Sequence, residues 1–375
     1  MGRCVGWYCA VALAVGLTGA SLVRAEGDWE ITADSQRALA RGLHWLADPA
    51  NQGLEGNWES QDLGLVSMGL LAFLSDGHAP GRGPYGEAAD RALRYLLAGA
   101  GPDGLLNVAA PQRDMYNHGL STFVLGQAHG MASDERILSV LDQALRLIIA
   151  TQCQDGGWDY RAQALPHGHD LSLMVMQAKA LRSAVDTGFT IPPAVIQRAI
   201  VNVRRHYTSK AGGAAGGNAN PRLPGQFTYT PGGNPTVAMA AAGVVCLQEF
   251  GQYDDWRIPQ NMDVITAAIG QAAGQVEPGK LPMDPYTLYY VGQALYQVGG
   301  DYWRDSYPVL RDAVVRSQIV QPGNARLDGM WQGSRFVGGK PGDLYSTSVA
   351  CFILAMPNRY LPILQEGRIE AWRLP

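Results

Sequence analysis

One alternation limits what this chain can fold into. Six segments are amphipathic and charged: SQRALARGLHWLAD, EAADRALRYLLAG, DERILSVLDQALRLIIATQ, PPAVIQRAIVNVRRHY, DVITAAIGQAA and YPVLRDAVVRSQIV. Between them lie six that are nearly free of charge: DLGLVSMGLLAFL, NHGLSTFVLGQAHG, DLSLMVMQAKAL, PTVAMAAAGVVCLQEF, PYTLYYVGQALYQ and DLYSTSVACFILAM. A helix with one polar stripe has one wet face, and a helix that is apolar all round is buried. The two kinds alternate at a period of roughly fifty to sixty residues, which points to stacked two-helix repeats. With each charged helix outside and each uncharged one inside, six pairs close into a double ring. Closure buries the inner helices without capping repeats. The fold expected is therefore all-α, an α/α toroid in one domain spanning residues 26–375.

The connections within each pair are rich in Gly and Trp: GLEGNWESQ, GPDGLLNVAAPQ, QDGGWDYRAQALP, GQFTYTPGG, GKLPM and LDGMWQGSRFVGG. They read as turns and short extended pieces. Trp58, Trp158 and Trp331 in these turns read as pins between outer and inner helices, and Gln152, Gln154, Gly156 and Gly157 as structural in the same way. An extra flexible insert, KAGGAAGGNANPRLPG, interrupts the fourth repeat.

Residues 1–25 stand apart. Arg3 precedes an apolar stretch over residues 5–17, and small residues end at Ala25. This is the pattern of a secretory signal cleaved near Ala25, shorter than the ~20 residues a membrane span needs. The expected address is periplasmic or extracellular, with no membrane span after cleavage. Beyond it remain Cys153, Cys246 and Cys351, an odd count that gives no disulfide framework. Cys246 and Cys351 lie in apolar runs and read as small buried hydrophobes. The net charge of −4 and the lack of any basic run exclude nucleic acid as a partner.

The order of outer helix, Gln/Gly/Trp turn and inner apolar helix resembles the repeats of squalene cyclases and protein prenyltransferase β subunits. QDGGWDY is similar to their QW-type motif, and SQDLGLVSMGLL, MYNHGLSTFVLG and DLYSTSVACFIL look like their inner-helix segments. The resemblance covers nearly the whole chain after residue 25, and implies an α/α toroid with a central apolar cavity. The family's chemistry does not follow. Its cyclases protonate an alkene from an Asp-x-Asp-Asp-type cluster, and no such run occurs here. The pair Asp254 and Asp255, beside Trp256, reads as a loop. Its prenyltransferases hold zinc with an Asp-x-Cys and a later His. No Asp-x-Cys is found, and Ser346 stands where that His would be.

The site must therefore be argued residue by residue. Each inner helix begins with a capping residue: Asp62, Asn117, Asp170, Asn234, Asp284 and Asp343. Asp and Asn satisfy free N–H groups of the first turn, and Asp complements the helix dipole. With parallel inner helices, all six would ring one mouth, so a cap there also has access to a ligand. Asp62, Asp170, Asp284, Asp343 and His118 are the catalytic candidates. Tyr116, His118, His169, Tyr229, Tyr286, Tyr289, Trp331 and Tyr345 are the ligand-binding candidates, with Phe227, Tyr290 and Phe336 in the same aromatic set. Core packing competes with that reading. No cofactor is expected. Zinc would need His118, His167 and His169 to converge, with Asp114 as a further ligand. His44, His78, His129 and His206 read as surface or interface residues.

Four functions fit these residues. The first is a secreted toroid without cyclase or transferase chemistry, binding an apolar or extended ligand in its cavity or a protein on its rim. The second is an atypical terpenoid-processing enzyme, and the third a glycan hydrolase or lyase, both using mouth carboxylates. The fourth is a metalloenzyme built on the three histidines.

Overall fold

The structure, a computed structural model, describes residues 29–108, 114–209, 223–333 and 342–365. The signal-like segment, the Gly/Ala-rich insert around residues 210–222 and Phe336 lie outside the described residues. Uncharged and charged runs become separate layers. The inner helices are α3 (Leu63–Ser75), α5 (Asp114–His129), α7 (Leu171–Asp186), α9 (Val237–Glu249), α11 (Pro285–Val298) and α13 (Asp343–Ala355). The outer ones are α1 (Ala33–Ala47), α4 (Gly86–Ala98), α6 (Arg136–Ala150), α8 (Pro193–Arg205), α10 (Arg257–Ala273) and α12 (Gly300–Arg316). A short α2 (Pro49–Gln52) follows α1, and a two-stranded hairpin, β1 (Tyr207–Ser209) with β2 (Gly225–Phe227), brackets the insert. Every residue of α3 is buried, whereas α6 buries a single stripe of Ile137, Leu141, Ala144, Leu145 and Ile148.

Each inner helix packs on the next, and α13 packs back on α3, so the inner ring closes. Its helices run parallel. Ideal Cβ atoms on Gly119 and Gly126 of α5 would meet Gln177 and Ser183 of α7, so both helices advance in the same direction. Glu249 at the end of α9 likewise bonds Gln297 at the end of α11. All six inner N-termini therefore share one rim. α12 begins at Gly300 and α10 at Arg257, each about two turns earlier than the apolar periodicity suggested. α12 carries Pro308 inside it.

A repeated clamp joins neighbouring outer helices, and it explains the Gln, Gly and Trp of the turns. Gln52, Gln152 and Gln318 each donate from Nε2 to a carbonyl of the following outer helix, at Ala88, Val195 and Ala38. Each Gln Oε1 accepts in turn from an arginine three residues further along that helix, at Arg91, Arg198 and Arg41. Trp58, Trp158 and Trp331 donate from their indoles to Leu46, Ile148 and Val314 of the preceding outer helix. Gly156 has φ +90°, and a Cβ there would lie 2.1 Å from the Arg198 carbonyl. Only glycine lets the turn approach that backbone.

The caps match the sequence at three positions. Asp62, Asp170 and Asp284 accept from Leu65, Leu173 and Thr287 amides. Asp343 is the first residue of α13 and accepts instead from the Gly333 amide at 3.0 Å. Asp343 is thus corrected, since Gly342 is the cap position of α13, and two further positions are corrected. Asn117 lies inside α5, which starts at Asp114, and its amide donates to Asn107 at 2.8 Å. Asn234 precedes the cap of α9, which is Thr236, accepting from the Met239 amide.

Candidate functional site

The ring's axis is filled rather than hollow at two levels. Tyr116 on α5 and Tyr290 on α11 belong to helices three steps apart in a ring of six, hence opposite, yet their hydroxyls are 3.4 Å apart. Tyr286 stacks edge-on against Tyr290 at 4.9 Å, and Tyr289 and Tyr345 are buried in the same layer. Deeper, Lys179 of α7 lies 3.5 Å from Glu249 and 4.2 Å over the Phe123 ring, and it donates to Gln293. Burial pushes the lysine down and the glutamic acid up from their ordinary values. The central apolar cavity implied by the family resemblance is therefore occupied by side chains at these depths. Above them, at the rim of inner-helix N-termini, polar side chains reach solvent.

At that rim the turn before α7 folds back on itself. The His169 amide donates to the Trp158 carbonyl at 2.8 Å, and the Gly168 amide to Asp155 Oδ1 at 2.9 Å. A Cβ on Gly168 would meet Gly157 Cα at 2.6 Å, so the two strands of the turn touch through glycine. This close approach fixes His169 beside the helix start. Its Nδ1 lies 2.6 Å from Asp170 Oδ2. The Asp170 carboxylate is fully enclosed, while the imidazole is 50% exposed. Asp170 Oδ1 accepts from the Leu173 amide at 3.0 Å and from Ser172 Oγ at 2.5 Å. A carboxylate can only accept, so the proton between them sits on His169 Nδ1, and Nε2 is the ring nitrogen that can exchange a proton. The cap is thus also the orienting half of an Asp–His dyad.

Aromatic groups surround it. The Tyr160 ring meets His169 edge-on at 4.6 Å. Tyr160 Oη is 3.0 Å from Tyr229 Oη and 3.4 Å from Ser172 Oγ. Burial pushes the Tyr160 and Tyr229 phenols up, and the charge of Asp170 adds to it, so both stay protonated at neutral pH.

The other candidates part company here. His118 is fully buried, with Nδ1 accepting from the Leu106 amide and Nε2 donating to the Ala144 carbonyl, each at 3.0 Å. Burial lowers its pKa to about 4. Both ring nitrogens are spent, which removes it from the catalytic, ligand-binding and zinc readings. Trp331 is buried in its clamp and is corrected from ligand residue to structural pin. Tyr116, Tyr289 and Tyr345 belong to the plug beneath the rim, while Tyr286 is partly exposed. His167 is on the outer face of the turn, with Nδ1 3.6 Å from Asp155. Among the described residues no group of three His, Cys, Asp or Glu is placed to hold a metal ion. Asp114 accepts from Asn107 at 2.6 Å, and burial raises its pKa. His206 is buried rather than superficial, with Nδ1 3.2 Å from the Thr228 carbonyl under the hairpin. The thiols of Cys153, Cys246 and Cys351 are free and buried. Asp255 pairs with Arg204 and Arg257 in the loop between α9 and α10, at the opposite end from the dyad. Tyr160 and Ser172 were not singled out from sequence. Tyr160 sits inside the quoted QDGGWDY, but nothing there announces its partner 69 residues on.

Comparison with known proteins supports the architecture. No family model matches the sequence, and no curated protein matches it. Solved structures do. A GH76 α-mannanase of Bacteroides thetaiotaomicron is 13% identical, with a TM-score of 0.56, over 88% of this chain and 97% of that one. A cellobiose 2-epimerase of Bacillus thermoamylovorans is 11% identical, with a TM-score of 0.56, over 87% and 98%. A D-mannose isomerase is 12% identical, with a TM-score of 0.51, over 87% and 98%. At such identities the likeness is one of fold. The chain is an α/α toroid, similar in architecture to these sugar-processing enzymes.

Proposed function

We propose that the protein processes a neutral carbohydrate at the rim of its inner-helix N-termini, with His169 as the proton-transferring group and Asp170 holding it. One observation carries the reading: a half-exposed imidazole whose Nδ1 is fixed at 2.6 Å on a fully enclosed carboxylate. That arrangement sets the tautomer and leaves Nε2 to exchange a proton, as a general base requires. The reaction class that one oriented base serves is removal of a proton from the carbon next to a sugar carbonyl, the first step of epimerisation or isomerisation. Sugar-ring C–H faces also suit the tyrosines around it. The printed activities of the epimerase and the isomerase of this fold agree with that class.

Glycoside hydrolysis fits the same fold but needs two carboxyl groups flanking the scissile bond. Here Asp170 has both oxygens committed, and Asp62 and Asp284 each give one to a backbone amide. The tyrosine layer, spanning opposite helices, also works against a polyprenyl chain folded along the axis. Among the described residues no helix is long and apolar enough to cross a membrane. Export after cleavage near Ala25 belongs to the same proposal, and it suits an enzyme of extracellular sugars.

The test is hydrogen exchange. Wild-type protein is incubated in D2O with mannose, glucose and cellobiose, and the C2 proton is followed by NMR. The expected result is loss of that signal for at least one sugar, abolished in His169→Ala and slowed ~100-fold or more in Asp170→Asn. Wild-type protein that neither exchanges nor binds any of a broad panel of neutral sugars would refute the reading.

A further inference from the structure

The dyad's carboxylate has a second connection that the reaction above does not use. Asp170 Oδ2 orients His169, and Oδ1 accepts from Ser172 Oγ at 2.5 Å. Ser172 lies 3.4 Å from Tyr160 Oη, which lies 3.0 Å from Tyr229 Oη. Tyr229 comes from the loop after β2, in the next repeat. Its backbone is tied to the same place, because its carbonyl accepts from the Leu171 amide, the first residue of α7, at 3.0 Å. Tyr229 is thus anchored at both ends to the start of α7, yet it remains 40% exposed. One carboxylate organises two solvent-facing groups, an imidazole on one side and a phenol on the other.

We propose that Tyr229 is the second reacting group of this site, donating its O–H to the sugar carbonyl oxygen while His169 Nε2 takes the proton from the neighbouring carbon. The proposal rests on the carbohydrate reading above. The exposure and double anchoring of Tyr229 favour it. Ser172 has one proton, and the 2.5 Å contact commits it to Asp170. Tyr160 Oη sits between Ser172 Oγ and Tyr229 Oη, and either oxygen of each pair can donate. Tyr229 is the exposed end of this chain, and its hydroxyl, within reach of Tyr160 and Asp170, can turn its O–H from them to a ligand oxygen. Burial and the nearby negative charge hold that phenol protonated, so it serves as a donor and not as a base.

The step balances without a co-reactant. The C–H bond breaks and its proton goes to His169 Nε2, giving an imidazolium paired with Asp170. The C–H electron pair forms the carbon–carbon double bond, and the carbonyl π pair moves onto the oxygen. That enolate oxygen accepts the Tyr229 hydrogen bond, which strengthens as charge develops. Returning a proton, after exchange with solvent, regenerates a C–H bond and releases the sugar.

The deciding experiment compares the full-length protein with Tyr229→Phe and Tyr160→Phe in the deuterium-exchange assay, using the sugar that the wild type exchanges. Tyr229→Phe keeps the ring and the backbone tie to Leu171. The expected result is a fall in kcat of ~100-fold or more, with KM within about threefold and the melting temperature little changed. Tyr160→Phe, which leaves the Tyr229 hydroxyl but removes its partner, should fall about tenfold, and it decides the matter should Tyr229→Phe fold poorly. Exchange within twofold of wild type in both variants, with His169→Ala inactive, would overturn the role of Tyr229 and leave the dyad standing. No exchange by the wild type on any sugar would overturn both.

Discussion

His118 offers a prediction whose size follows from burial alone. The side chain is enclosed between the Leu106 amide and the Ala144 carbonyl, and its pKa falls from 6.5 to about 4. In the unfolded chain it titrates normally. Below about pH 6.5 the unfolded state therefore binds a proton that the folded state refuses, and stability falls as pH falls. The contribution is intact above pH 6.5 and is lost progressively down to about pH 4. At about 1.4 kcal/mol per pKa unit, moving from pH 7 to pH 4.5 costs roughly 2.5 kcal/mol. His118→Gln cannot titrate. It is less stable at neutral pH, by ~1–3 kcal/mol, because one amide cannot satisfy both partners in the ring's geometry. Urea unfolding followed by circular dichroism at pH 7 and pH 4.5 gives the comparison. The gap between wild type and variant should narrow by roughly 2.5 kcal/mol at the lower pH. His206, also lowered by burial, acts in the same direction in both proteins and cancels. A gap that is the same at both pH values would refute the buried, neutral His118.

Three further outcomes follow from the packing. Lys179→Met leaves Glu249 buried without its closest cation and should cost ~3–5 kcal/mol, whereas Lys179→Met with Glu249→Gln should recover most of it. Additive single effects in that cycle would contradict the pairing. Gly156→Ala forces a Cβ to 2.1 Å from the Arg198 carbonyl at φ +90°, and should cost ~3 kcal/mol or more, read from the urea midpoint. Gln152→Ala removes bonds to Gly156, Val195 and Arg198 and should cost ~2–3 kcal/mol. Export with cleavage near Ala25 predicts that mass spectrometry of the secreted protein finds Glu26 first; an N-terminus still at Met1 would contradict it.

The ring was legible because burial writes itself into helix periodicity. A helix such as α3, enclosed on all sides, has no polar stripe, and α6, wet on one side, has one. The clamps were legible as Gln, Gly and Trp recurring in the turns, though not the arginine that completes each. Side-chain direction was the weak point. Tyr116 and His118 are neighbours in sequence, but two helical steps of about 100° turn them to opposite faces. Tyr116 therefore meets Tyr290 across the axis, while His118 points outward to α6. Asn117 looked like a cap because capping depends on where the helix starts, and α5 starts three residues earlier. The dyad was half legible. Asp170 announced itself as a cap beside a histidine, but the Tyr229–Tyr160–Ser172 chain joins segments far apart in sequence and needed the closed fold.

The central proposal is that chemistry occurs at the inner-helix N-terminal rim. Its most direct test is a crystal structure of the His169→Ala protein soaked with the sugar that the wild type exchanges. The account predicts the sugar at this rim, with its carbonyl oxygen within hydrogen-bonding distance of Tyr229 Oη and C2 facing the space vacated by the imidazole. A sugar ordered at the opposite rim, beside Asp255 and the α9–α10 loop, would contradict it.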